Sequence, residues 1–509
     1  MTRSRNISRS IGDLARGAVP CLLLAGCNVG PNYHAPSTAA LKVPAGFRAA
    51  TDMRTGSMAA EPVDLARWWQ GFEDPVLTGL VDRAFAANLD IDAAGARLRQ
   101  ARATVRGTLG TALPSASTGG SVNRTIGNQS STFIDPTSGQ ATTSGGDRTI
   151  YSGSFDVAWE ADIFGGIRRS IQATRASAES TEATLHFTQL SVASEVGLNY
   201  MAARLAQIRL RIARENLASQ DETLQIVGWR RDAGLVSSLD YEQARQLRAQ
   251  TAASIPTIEN TYMTAVNRIA VLLGEAPGAV TALIDPPASI PLAPGIAAPI
   301  PAEVIARRPD VAASERALAA EVARIGVQKA QLYPALRLTG SFSGSASSVG
   351  NVISDGVGAL AAAISAPIFE GGQIRAAIAG QRASTDAALA GYRSTVLEAL
   401  EEVENALKAR DVAERRERDI AISAEAAGNA VRYARAQYRA GLIDFQSLLD
   451  TERALLSSQD SAASARADRA TSTIQLYKAL GGGWQAAPMP VPGQYEGGKP
   501  ASPSPTTRP

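Results

Sequence analysis

The chain has 509 residues, 45% of them hydrophobic and only 5% aromatic, which is enough for two or three ordinary domains and favours long helices with thin, small-residue interfaces over one thick core. Its 50 basic and 48 acidic residues nearly balance. Without residues 1–26, which hold four arginines and Asp13, 46 basic residues face 47 acidic ones, a net of −1 that leaves no electrostatic footprint for nucleic acid.

Residues 1–26 read as a lipoprotein signal peptide. Arg3, Arg5, Arg9 and Arg16 make a positive n-region. "AVPCLLLAG" is apolar but too short to span a bilayer. Leu24-Ala25-Gly26-Cys27 matches a lipobox. In proteins with that motif the cysteine becomes the lipidated N-terminus, so Cys27 is expected to carry a diacylglycerol and an N-palmitoyl chain, with no other cofactor. Asn28, where inner-membrane retention is associated with aspartate, implies the outer membrane. The alternative is an ordinary secretion signal with an incidental Cys27. Cys21 leaves with the signal, so a disulfide framework and a Cys-based zinc site are excluded. No later apolar run approaches the length of about 18 residues that a membrane-spanning helix needs.

After an extended segment, 27–73, the chain is written twice. "DIFGG" at 162–166 matches "PIFEGG" at 367–372, and "DAGLVSSLDYEQA" at 232–244 matches "RAGLIDFQSLLDTERA" at 439–454. Gly234 and Gly274 are 40 residues apart, as are Gly441 and Gly481. The first repeat spans 74–274 and the second 309–481, joined by a proline-rich linker over 275–308. A tail at 482–509 reads as disordered.

Each repeat opens with a helix ending at a proline, Pro114 or Pro334. Strands are expected over about 115–127 and 150–160, then 335–347 and 359–369. In "YSGSFDVAWE", Tyr151, Phe155, Val157 and Trp159 alternate with Ser152, Ser154, Asp156 and Glu160. Period two with one apolar and one polar face describes a strand between two different environments. The connection 128–149 reads as an exposed loop. Proline-free helices follow, from Gly166 to about Arg231 and from Gly372 to about Arg439, each roughly 100 Å long at 1.5 Å per residue. Glycine corners at about 232–238 and 439–445 then turn the chain into return helices, 237–273 and 444–480.

Four amphipathic strands cannot close a barrel, and an open edge cannot lie in lipid. Three copies would supply twelve strands in a closed ring.

The lipobox, "RWWQGFEDPVLTGLV" (67–81), "ARRPDVAASE" (306–315), "YPAL" (333–336), "APIFEGG" (366–372) and "YRAGLIDFQSLLDTER" (438–453) together make the chain resemble the TolC/OprM-like outer-membrane channel family of the NodT type. The resemblance implies a mainly α fold with a β-hairpin pair per protomer. It implies a homotrimer whose 12-stranded β-barrel continues into a long α-helical barrel. It also implies a periplasmic adaptor, an inner-membrane transporter of the resistance–nodulation–division type, and passive export of small toxic molecules. By the same resemblance Asp450 falls at a constriction aspartate and Arg453 at a nearby arginine, with Tyr438 and Asp444 as further latch residues. The alternative for Asp450 and Arg453 is a solvated i,i+3 pair. Gln446 stands where some relatives carry an apolar ring residue, so a second, hydrophobic gate layer is not expected. The first repeat has Gln243 and Gln246 at the positions of Asp450 and Arg453.

The tips Gly234, Leu235, Val236 and Gly441, Leu442, Ile443 are candidate adaptor contacts, or simply turn packing. Trp68 and Trp69 read as a packing anchor, Arg307-Arg308-Pro309-Asp310 as a helix start with a structural salt bridge, and Tyr151 and Trp159 as lipid-interface residues. Catalysis is excluded on chemistry. The two histidines, His34 and His186, have no ligand spacing, and no nucleophile, phosphate or dinucleotide motif occurs. A type I protein-secretion channel and a structural lipoprotein rod are the competing functions.

Overall fold

The computed structural model describes residues 28–49, 64–127, 147–292 and 301–490, and the backbone of 131–134 and 141–144. Cys27, the signal segment and residues 491–509 lie outside the described residues. The chain divides into two compact units. One takes residues up to Ala35, Gln100–Glu179 and Arg316–Ala390, and the other Pro36–Arg99, Ser180–Glu315 and the chain from Gly391 on. Each unit therefore draws on both repeats.

In chain order, a 3-10 helix at Leu65–Phe72 precedes α1 (Pro75–Ala87) and α2 (Leu89–Gly110). The strands β1 (Ser115–Thr125), β2 (Ser131–Ile134), β3 (Ala141–Ser144) and β4 (Arg148–Ala161) follow. Then come α3 (Gly166–Asp232), α4 (Ser238–Leu272), α5 (Thr281–Ile284), α6 (Pro301–Arg307) and α7 (Pro309–Ala330). The chain continues through β5 (Ala335–Ala346), β6 (Val357–Ser365), α8 (Gln373–Arg439) and α9 (Phe445–Ala479). The duplication is exact in length: α2 and α7 have 22 residues, α3 and α8 have 67, α4 and α9 have 35.

The first unit holds an antiparallel sheet of order β1-β4-β5-β6. Its register places Tyr151, Phe155, Val157 and Trp159 of β4 on the same face as Leu336, Leu338 and Phe342 of β5 and Leu360 and Ile364 of β6. The other face carries Ser152, Ser154, Asp156 and Glu160 beside Arg337, Thr339, Ser341 and Ser343. Phe155, Leu338, Phe342, Leu360 and Ile364 are all solvent-exposed, so one protomer buries neither face of its sheet in a core. Every residue of β1 and β6, the two edge strands, is exposed. Part of the expected loop 128–149 is instead ladder, because β2 and β3 pair with each other and satisfy their backbone groups there. The last strand is also shorter than expected, stopping at Ser365 before Ala366 and Pro367. Trp159 Nε1 donates to the carbonyl of Ala112 at 3.0 Å.

The second unit is built around buried aromatics. Trp68 stacks on Tyr477 with centroids 5.5 Å apart and meets Trp69 edge-on at 5.7 Å. Around them lie Phe72, Leu77, Val196, Met201, Val266, Ile269 and Ile474, from the 3-10 helix, α1, α3, α4 and α9. The segment expected to be extended up to residue 73 thus ends in a helical turn, capped by Asp64, that drives both tryptophans into the core. Asp74 caps α1 through Val76 and Leu77, and its second oxygen accepts from buried Tyr200 at 2.6 Å. Arg204 donates to Tyr200 and to the carbonyls of Ile284 and Pro286, fixing the start of the proline-rich linker to α3. Arg308 bonds Asp310 at 2.6 Å, Glu402 at 2.7 Å and the carbonyl of Ala479 at 2.9 Å, the helix-start role read from the sequence. Residues 482–490, expected in a disordered tail, are packed: Gln189 donates to the Pro488 carbonyl and Trp484 lies 4.4 Å from the His186 ring.

Candidate functional site at the helix-hairpin tips

Both tips lie in the second unit and are built alike. At the end of α3, Leu235 N donates to Arg230 O and Gly234 N to Arg231 O. At the end of α8, Leu442 N donates to Gln437 O and Gly441 N to Tyr438 O. This six-to-one closure needs a left-handed residue, and Gly234 and Gly441 both sit at φ +75°. Ser237 and Asp240 then form a capping box for α4, while Asp444 alone caps α9 by accepting from Ser447 N at 2.8 Å. The carboxyl of Asp444 is held below the usual carboxylate range by the Ser447 hydroxyl and backbone N–H. Leu235 and Leu442, at the turns themselves, are 73% and 75% exposed.

Of the expected gate residues, three come together on one exposed face of α9. Gln446 Nε2 lies 3.1 and 3.2 Å from the two oxygens of Asp450, and Arg453 Nη1 lies 3.7 Å away. Tyr438 and Asp444 are elsewhere. Asp444 is occupied as a cap. Tyr438 is buried against Phe445, with the Arg230 guanidinium 4.5 Å above its ring. Arg230 Nη2 also donates to the carbonyls of Tyr438 and Arg439, so a first-repeat arginine caps the C-terminus of the second repeat's long helix.

A seam between α3 and α9 was not anticipated. Arg209 pairs with Asp460 at 2.8 Å, Asn216 donates to Gln459 at 2.8 Å, and Thr223 donates to Glu452 at 3.2 Å. With Arg230 these α3 residues recur every seven positions, the period that keeps one helix face against a neighbour. Glu452 is 3% exposed and also accepts from Arg435 Nε at 3.2 Å. Burial raises its pKa against the opposing pull of Arg435 and Thr223. The seven-residue spacing was the available signal. It was hidden because polar residues on a long helix normally read as a solvated face.

Tandem helix hairpins joined to amphipathic strand pairs are the fold of solved outer-membrane channels. Residues 80–275 and 300–482 match the model of the family described as "Outer membrane efflux protein", and the chain belongs to that family. It is an efflux channel component and not an enzyme. It is 31% identical over 492 residues to nodulation protein T of Rhizobium leguminosarum bv. viciae, covering 94% of this chain and 95% of that one. It is 30% identical over 457 residues to the pyoverdine export outer membrane protein OpmQ of Pseudomonas putida, covering 89% and 94%. The solved outer-membrane channel OprN superposes with a TM-score of 0.80 at 35% identity, over 90% of this chain and 100% of that one.

Proposed function

We propose that three copies of this chain form the outer-membrane exit duct of a tripartite efflux pump. The sheet carries the argument: one face is apolar through β4, β5 and β6, the other is polar through β1, β4 and β5, both are exposed, and an edge strand stands on either side. In lipid such a sheet must find partners for its edges, and twelve strands from three copies would do so with the apolar face outward. An N-terminal lipid on Cys27 anchors the protomer in the same membrane. The hairpin tips, with exposed Leu235 and Leu442, engage a periplasmic adaptor, which links the duct to an inner-membrane transporter of the resistance–nodulation–division type. Three Asp450 carboxylates around one axis make the gate at the tips a cation-favouring constriction, steadied within each copy by Gln446 and Arg453. The conducted molecules are small toxic compounds selected by the transporter.

Reconstitution of the purified protein in planar bilayers tests this reading. The expected result is discrete single-channel conductance from particles of trimer mass. Stable single protomers without conductance would reject it. Deleting the gene and measuring sensitivity to a drug and metal panel identifies the exported class.

A further inference from the structure

β4 and β5 belong to different repeats, yet they pair over eleven residues, from Tyr151 opposite Ala346 to Ala161 opposite Leu336. This internal junction between repeats is a template for the junction between copies. Two constants relate the repeats. α2 and β1 precede α7 and β5 by 220 positions, since Leu89 and Ser115 correspond to Pro309 and Ala335. α3 precedes α8 by 207, as Gly166 corresponds to Gln373. The hairpins give 207 again for β4 and β6: Ala158 lies across from Ser115 as Ser365 lies across from Ala335.

Resting on the trimer reading above, we infer that β6 of one copy pairs with β1 of the next in the register that these constants carry over from β4 and β5. Ala362 then lies opposite Val122 of the neighbouring copy, Ile364 opposite Gly120, and Ala363 opposite Ser121. This register keeps like faces together, as it must when both hairpins share one internal register. Ala362 and Ile364 share the apolar face with Leu338 and Leu336, and Val122 and Gly120 share it with Tyr151 and Gly153. Ala363 and Ser121 share the opposite face with Arg337 and Ser152. Seven pairs, Ala359 with Thr125 through Ser365 with Gly119, fall wholly inside the observed limits of both strands.

A second observation points to the same neighbour. Within the protomer, Phe164, in the exit from β4, stacks on Tyr333 at 4.7 Å. The counterpart of Tyr333, 220 positions earlier, is Leu113, and it is 66% exposed. The exit from β6 offers Ile368 and Phe369, 99% and 89% exposed. The second exit is two residues longer between its phenylalanine and the positive-φ glycine, Gly372 against Gly165, which gives it added reach. Ile368 and Phe369 cover Leu113 of the next copy.

Cysteine pairs read the register directly, because antiparallel partners bring Cβ atoms to about 4.5–5.5 Å while diagonal neighbours stand about 7–8 Å apart. In the full-length lipoprotein, V122C/A362C is expected to give disulfide-linked trimers under mild oxidation, several-fold more than V122C/L360C or V122C/I364C. A displaced pair that links better, or no link in particles whose native mass is trimeric, overturns the register. Particles of monomer mass overturn the trimer reading and the register with it. As an independent measure, L113S and F369S should each lower the temperature at which the trimer dissociates, and the double variant should add little to either. Additive effects would place the two side chains in separate contacts.

Discussion

Thr223 Oγ1 donates to Glu452 Oε1 at 3.2 Å, so a hydroxyl on the long helix of the first repeat holds a buried carboxylate on the return helix of the second. Arg435 completes the clasp from α8. Removing the carboxylate in Glu452→Ala leaves the Arg435 guanidinium without this acceptor, while the Thr223 hydroxyl keeps the Ser219 carbonyl at 3.1 Å, and should cost about 1–3 kcal/mol. Faster amide hydrogen exchange in α8 and α9 near the tip is the expected readout, with a smaller change in Glu452→Gln.

The same residue sets a pH dependence. Its folded pKa is raised by burial, so the folded protein binds this proton more readily than the unfolded chain. That contribution is complete below the ordinary glutamate value of about 4.3 and is lost as pH rises through the folded value. Mild acidification inside this window should therefore slow exchange at the seam. Glu452→Gln should flatten that part of the profile, and an unchanged profile in the variant would assign the dependence to another group.

Asp450 is exposed, and its contacts, Gln446 and Arg453, sit on its own helix. Asp450→Asn keeps the size and the neutral hydrogen-bonding capacity while removing three charges from a trimer. Lower cation preference and weaker block by divalent cations are expected in planar bilayers. Equal selectivity in variant and parent would mean that Asp450 is a solvated surface acid.

At Gly441 and Gly234 an added Cβ meets nothing within 4 Å, so only the backbone resists substitution. Holding an alanine at φ +75° should cost about 1–2 kcal/mol at each tip. Limited proteolysis should then cut Gly441→Ala and Gly234→Ala faster at the corners, while the thermal unfolding of the core stays near that of the parent.

Trp68 is fully buried, stacked on Tyr477 and edge-on to Trp69 and Phe72. Trp68→Ala should destabilise the second unit by about 3–5 kcal/mol. Calorimetry would show it as a lowered unfolding midpoint, with a smaller drop for Trp68→Phe.

Much of this molecule is local in origin, and local features are legible in a sequence. Gly234 and Gly441 announce the corners because few other residues accept a left-handed backbone. The alternation from Tyr151 to Trp159 announces a two-faced strand because side chains point to opposite sides every second residue. Equal spacing between Gly234 and Gly274 and between Gly441 and Gly481 announces duplication. The matching lengths of α3 and α8 follow from it.

Partnership between distant segments was decided by the fold. Nothing local distinguishes Thr223 from any other polar residue on a long helix, and Glu452 reads as a solvated acid until α3 and α8 enclose it. Tyr438, read from the sequence as a latch candidate, is a packed ring under Arg230, a partner 208 positions away that no local pattern announces. Gln189 and Pro488 lie 299 positions apart, yet their contact orders a stretch that looks like a loose tail. The sequence by itself determined the repeats, the corners, the strand faces and the proline-bounded helices, because each depends on residues within a few positions of one another. Tertiary structure alone decided which charges are buried, which helices share a seam and which strand edges stay open. Burial and pairing are properties of packing between segments, and no short stretch of chain contains them.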